Sequence, residues 1–219
     1  MYCTVEPILA RNANRGDMEA MVLLPEHPGQ NSVGPRSLAF SHPEHSLTRL
    51  QPYFQVFRDG IFLSEEADHL ISFACAIRIS AKWIGTAHTW LEVTGEGSEI
   101  AHIPNGQWLY VARIAYTAGP GHAHLTSELK PLLDSLKNLA VNRGLRGVAF
   151  PAKFPGFRVR SGTTDFQRSC IEEQNHQVRS GLHPIGVAYH IGFRHEIALP
   201  NYLGDGRHFA LMVWRPEET

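Results

Sequence analysis

Thirteen histidines in 219 residues prompt a search for metal or acid–base chemistry. His122-x-His124 has the spacing of two ligands on one face of an extended segment. No Asp, Glu, His or Cys stands at a distance that completes a ligand set, so a solvated loop pair competes and no metal is expected. Tyr189 and His190 are neighbouring proton donors on a short helical stretch, where packing is the rival reading. Tyr202 and Asp205 lie in a loop between two closing strands. Gly204-Asp205-Gly206 is a turn signal, so substrate contact there competes with plain turn chemistry. Trp83 and Trp90 either line a pocket or pack their own segment. Cys3, Cys75 and Cys170 form no CxxC pair, and Cys75 inside an apolar run reads as buried and inert.

The elements that must position these residues follow from periodicity. Residues 2 to 10 read as a strand. Asp17 opens a short helical pattern as a plausible N-cap. Residues 25–43 are rich in proline and glycine and read as a long loop. A helix over 46–57 precedes strands at 61–65 and 70–79, joined at Ala67-Asp68. The second is almost continuously apolar, the pattern of a strand covered on both faces. Residues 80–107 read as an insertion, followed by a strand at 108–117. In that strand Arg113 is the lone charge.

Gly119-Pro120-Gly121 breaks that strand. Leu125, Leu129, Leu132, Leu133, Leu136, Leu139 and Ala140 then recur at three- and four-residue steps, one face of a long helix. Thr126 or Ser127 is expected to cap it, Pro131 is expected in its first turn, and Gly144 is expected just past its end. A buried strand at 145–151 follows. Lys153, Arg158 and Arg160 fall in a basic loop. Helices at 166–178 and 184–190 and strands at 196–199 and 209–214 complete the order. One strand–helix–strand crossover among antiparallel neighbours predicts a mixed sheet with helices on both faces.

Composition sets limits. Hydrophobic residues make up 43% and charged residues 19%, with a formal net charge of −1. Such a chain carries no global basic field for nucleic acid or an anionic membrane. No apolar run approaches a membrane span, and the first ten residues lack signal-peptide character. One domain over 1–219 and a cytoplasmic setting, suited to sparse cysteines, are expected.

The order of elements and several segments resemble the Gcn5-related N-acetyltransferase (GNAT) superfamily, as a divergent bacterial member. The segments are His102-Ile103-Pro104-Asn105-Gly106-Gln107-Trp108-Leu109-Tyr110, the helix over 126–142, Gly192-Phe193, and the tail from Leu199-Pro200-Asn201-Tyr202 to Val213-Trp214. The resemblance spans Val5 to Pro216. It implies an α/β fold with a mostly antiparallel sheet of about seven strands, in which the fourth and fifth splay apart. It also implies acetyl-CoA or another acyl-CoA as co-substrate. The pantetheine arm would lie along the fourth strand, at Ile114 and Tyr116. The pyrophosphate would lie at Gly121, His122, Ala123, His124, Leu125 and Ser127, at a helix N-terminus.

By the same resemblance, Tyr189 or His190 would protonate the leaving thiolate. Trp83, Tyr202 and Asp205 would contact the acceptor. Lys153, Arg158 and Arg160 could face the 3′-phosphate. The family loop Arg/Gln-x-x-Gly-x-Gly/Ala falls on His122, Leu125 and Ser127, and a Cβ at 125 hinders backbone approach to phosphate. The strand-four Glu that orders a water in many members is missing. In the related malonyl-decarboxylating domains of polyketide loading modules, the reacting residues match Pro151, Ala188 and Leu203 here. Two partners are therefore implied: a small-molecule amine accepting an acyl group from acyl-CoA, or an acyl group borne on a carrier protein's pantetheine arm.

Overall fold

A computed structural model describes residues 9–24, 47–95, 100–116, 123–153, 184–204, 206 and 208–216. Residues 2–8 of the expected strand at 2–10, the loop 25–43, the helix 166–178, and Gly121, His122, Arg158, Arg160 and Asp205 lie outside the described residues.

Seven strands form one sheet in the order β1-β2-β3-β4-β5-β7-β6. They are β1 (Leu9–Asn12), β2 (Ile61–Glu66), β3 (His69–Ile79), β4 (Trp108–Tyr116), β5 (Gly147–Lys153), β6 (Arg194–Leu199) and β7 (Phe209–Trp214). Among the described residues five α-helices accompany them: α1 (Met18–Leu23), α2 (Leu47–Val56), α3 (Trp90–Thr94), α4 (Ala123–Asn142) and α5 (Pro184–His190). Every strand pairing is antiparallel except β4 with β5.

The apolar runs behave as expected. Residues 72–77 of β3 are buried throughout, as are residues 108–115 of β4. Ala67 and Asp68 turn between β2 and β3 with φ of 47° and 65°. The leucine face of α4 seats Leu129, Leu132, Leu133 and Leu136 fully inside the core. Its end is a Schellman motif: the Leu145 N–H donates to the Ala140 carbonyl, the Gly144 N–H to that of Val141, and Gly144 has φ +61°.

Several boundaries and caps differ from expectation. Strand β1 runs on to Asn12, because Arg11 and Asn12 complete the ladder with Leu63 and Phe62. Helix α4 begins at Ala123, so positions 126 and 127 lie within its first turns and not at its N-cap. Pro131 is therefore interior, where its ring removes the hydrogen bond to the Ser127 carbonyl. Leu145 belongs to the helix end, and β5 starts two residues later at Gly147. Asp17 precedes α1 without a side-chain cap there. Its carboxylate instead accepts from the Asn14 N–H at 2.7 Å and pairs with Arg11 at 2.9 Å.

The two faces of the sheet are assigned by register. The Ser72 hydroxyl donates to the Glu128 carbonyl of α4 at 3.0 Å, so Ser72, Ala74 and Ala76 face α4. Their partners Tyr116, Ile114 and Val111 share that face. Phe73, Cys75 and Ile77 face the other way with Ala115, Arg113 and Tyr110. Between Cys75 and Ala76 the register skips Ala112, a β-bulge that keeps both Tyr110 and Arg113 on the face opposite α4.

Candidate functional site

Strands β4 and β5 pair only at Trp108–Gly147, Leu109–Val148 and Tyr110–Ala149. Beyond that point β5 continues against β7 alone, from Phe150 to Lys153. Strand β4 continues against β3 alone, as far as Tyr116. The two parallel strands therefore part at Tyr110, and the far edge of β4 from 111 to 116 has no strand partner among the described residues. Helix α4 starts seven positions after Tyr116, so its N-terminus belongs to the open end of the wedge.

The bulge residue sits two residues past the vertex. The Trp90 indole N–H donates to the Ala112 carbonyl at 3.0 Å, giving the bulge residue a partner outside the ladder. The Thr89 hydroxyl and the Glu92 carboxylate cap the first turn of α3 reciprocally, which fixes Trp90 at the start of that helix. The Trp90 N–H also donates to the Tyr202 carbonyl at 2.8 Å. The insertion and the closing loop thus meet over β4 on the face opposite α4.

On that face a hydrogen-bonded chain lies buried. His88 Nδ1 is 2.7 Å from the Thr86 carbonyl, which can only accept, so Nδ1 carries the proton. Nε2 is then left to accept from the Tyr110 hydroxyl at 3.2 Å. With its proton directed to His88, Tyr110 accepts from the Tyr202 hydroxyl at 2.5 Å. Burial pushes both phenols well above their ordinary range and pushes the His88 imidazole down. The chain is a neutral relay running from Tyr202 through Tyr110 to His88.

Beside it stands Arg113, 2% exposed. Its guanidinium carbon lies 5.7 Å from the Tyr53 ring centre and 5.2 Å from that of Trp90. The opposing Cys75 thiol is pushed up to about 12, by burial first. Cys75 is therefore inert, as its setting in the sequence suggests.

The expected site residues distribute unevenly. Ile114 is fully buried on the α4 face, and Tyr116 is half-buried at the open end of β4. Ala123, His124, Leu125 and Ser127 fall in the first turns of α4. Trp83 packs edge-on to His88 with ring centres 5.3 Å apart, and Lys82 Nζ lies 4.4 Å from its ring centre. Tyr202 is fully buried within the relay. Tyr189 is half-buried on α5, and His190 is exposed at its end. Among the described residues no three His, Cys, Asp or Glu come together as a metal set. None of their helices is long and apolar enough to cross a membrane. His88, Tyr110 and Tyr53 were not singled out from sequence, and no local signal marks them.

Acid sensitivity follows from the buried imidazoles. Burial lowers the pKa of His88, His102 and His195, so the unfolded chain binds protons at these sites more readily. Their contribution is intact above the unfolded value of about 6.5 and lost as pH falls through the lower folded values. The urea midpoint should therefore start to fall below pH about 6.5. A midpoint flat down to pH about 5 would contradict this.

No family profile matches the chain, and no curated protein sequence matches it. Solved structures do. The GphF GNAT-like decarboxylase in complex with isobutyryl-CoA is 17% identical with a TM-score of 0.60, covering 94% of this chain and 98% of that one. The loading GNAT-like domain of CurA from Lyngbya majuscula is 13% identical with a TM-score of 0.59, covering 95% and 97%. The aminoglycoside 6′-N-acetyltransferase from Enterococcus faecium is 12% identical with a TM-score of 0.59, covering 96% and 99%. The chain has the GNAT fold, with the parting of the fourth and fifth strands that the resemblance implied.

Proposed function

We propose that this chain binds an acyl thioester of coenzyme A in the β4/β5 wedge and transfers the acyl group to an amine of a small molecule. The observation that carries this is the three-residue limit of the β4–β5 pairing. A strand edge that parts from its parallel neighbour after three residues suits the amides of a pantetheine arm. The helix N-terminus at the open end suits the phosphates. The likeness to a GNAT-like decarboxylase solved with isobutyryl-CoA supports the same ligand class.

In this reading Ile114 and Tyr116 contribute backbone to the arm, and residues 121–127 meet the pyrophosphate. The amine nitrogen attacks the thioester carbonyl and forms the C–N bond. The C–S bond breaks, the amine sheds a proton to solvent water, and the thiolate gains one from Tyr189 or His190, which solvent then reprotonates. Trp83, Tyr202 and Asp205 bound the acceptor side.

A second reading is favoured by a leucine rather than a glycine at position 125, in the first turn of α4, and by the likeness to a loading domain. The arm would then be carried by a protein, without the 3′-phospho-ADP part. Thermal unfolding separates the two. Acetyl-CoA at 100 times its Kd should stabilise the chain by about 2.7 kcal/mol, a shift of several degrees. A shift with acyl-pantetheine and none with acetyl-CoA would move the assignment to the carrier. No shift with either at millimolar ligand would end both.

A further inference from the structure

We infer that Arg113 and Tyr53 form a carboxylate-binding site on the face of β4 opposite α4, one that selects an anionic small molecule. Two observations converge. Nε and Nη1 of Arg113 are buried without a hydrogen-bond partner, and Arg113 forms no ion pair among the described residues. The Tyr53 hydroxyl is buried beside that guanidinium and, among the described residues, accepts or donates no well-formed hydrogen bond. Both groups are donors, and the hydroxyl remains protonated because burial pushes it up to about 12. A guanidinium cannot shed its charge, so burial without a counter-anion is costly. An acceptor-only group with a full negative charge is what these donors lack, and a carboxylate supplies two oxygens in the geometry a guanidinium matches.

The fold gives this pair its place. Arg113 follows the bulge at Ala112, three residues past the vertex at Tyr110. The Tyr53 and Trp90 rings flank the guanidinium. The inference deepens the thioester reading above. The carboxylate belongs either to the acyl group, as in a dicarboxylic monothioester, or to the acceptor, as in an amino acid.

Calorimetric titration of the whole chain distinguishes the sources. One arm compares succinyl-CoA with butyryl-CoA, equal in carbon number and different in charge. The other compares a mixture of amino acids with their primary amides, with and without acetyl-CoA. At least tenfold tighter binding of the acid in one arm is expected. Arg113→Gln should remove that preference without weakening the neutral ligand. Tyr53→Phe should cut it by about tenfold. No preference for the acid in either arm would overturn the site, as would a preference that survives in Arg113→Gln. If no coenzyme A thioester binds, the thioester reading fails, and the acceptor arm without coenzyme A still decides the carboxylate site.

Discussion

Gly147→Ala is expected to destabilise the fold by about 4 kcal/mol or more, enough to threaten a domain of ordinary stability. Gly147 has φ +152°, a region that side-chain-bearing residues rarely adopt. A Cβ built there lies 2.7 Å from the Trp108 ring and inside contact distance of the Trp214 carbonyl. The backbone cannot retreat on either side. Gly147 pairs with Trp108 across the parallel seam, and Val148 pairs with Trp214 across the antiparallel one. The position therefore anchors the short zipper from which the wedge opens. Gly85→Ala is the control, since a Cβ there meets nothing within 4 Å. Denaturant midpoints read the difference. A Gly147→Ala protein within about 1 kcal/mol of the parent would show that the seam can slide.

That seam also marks the limit of what could be read in advance. The strand at 70–79 was legible because its unbroken apolar run has one physical solution, burial on both faces. The leucine spacing of α4 and the glycine at 144 were equally plain. The parting of β4 from β5 has no such signature. It depends on which neighbour each strand prefers after Tyr110 and came only through resemblance. The relay lay further from reach. Tyr110 and Tyr202 are 92 residues apart, and His88 sits in an insertion without a motif. Their meeting depends on the closing loop folding back onto α3, where the Trp90 N–H meets the Tyr202 carbonyl. Arg113 was visible as the lone charge in its strand. The bulge at Ala112 that turns it toward Tyr53 is a register property of two strands together.

Removing that charge should make the ligand-free protein more stable. Arg113→Met keeps most of the side-chain length and deletes a buried guanidinium that has no anion beside it among the described residues. Replacing buried charges by apolar groups is often neutral or stabilising by about 1–4 kcal/mol, and no carboxylate of the described residues is left without its partner by the change. Against this stands the loss of the attraction to the Tyr53 and Trp90 rings, about 0.5–2 kcal/mol in total. Desolvation is the larger quantity for a side chain 2% exposed, so the balance favours the variant by about 2 kcal/mol. For a chain of 219 residues that raises Tm by about 4–8 °C. The parent should recover the deficit when a carboxylate ligand saturates it, because binding to the native state alone adds its own stabilisation. Stability held below its attainable value by one buried cation is what a site selected for binding leaves behind. A variant less stable than the parent would mean that Arg113 already has its partner within the fold, and the case for an external anion would lose its physical basis.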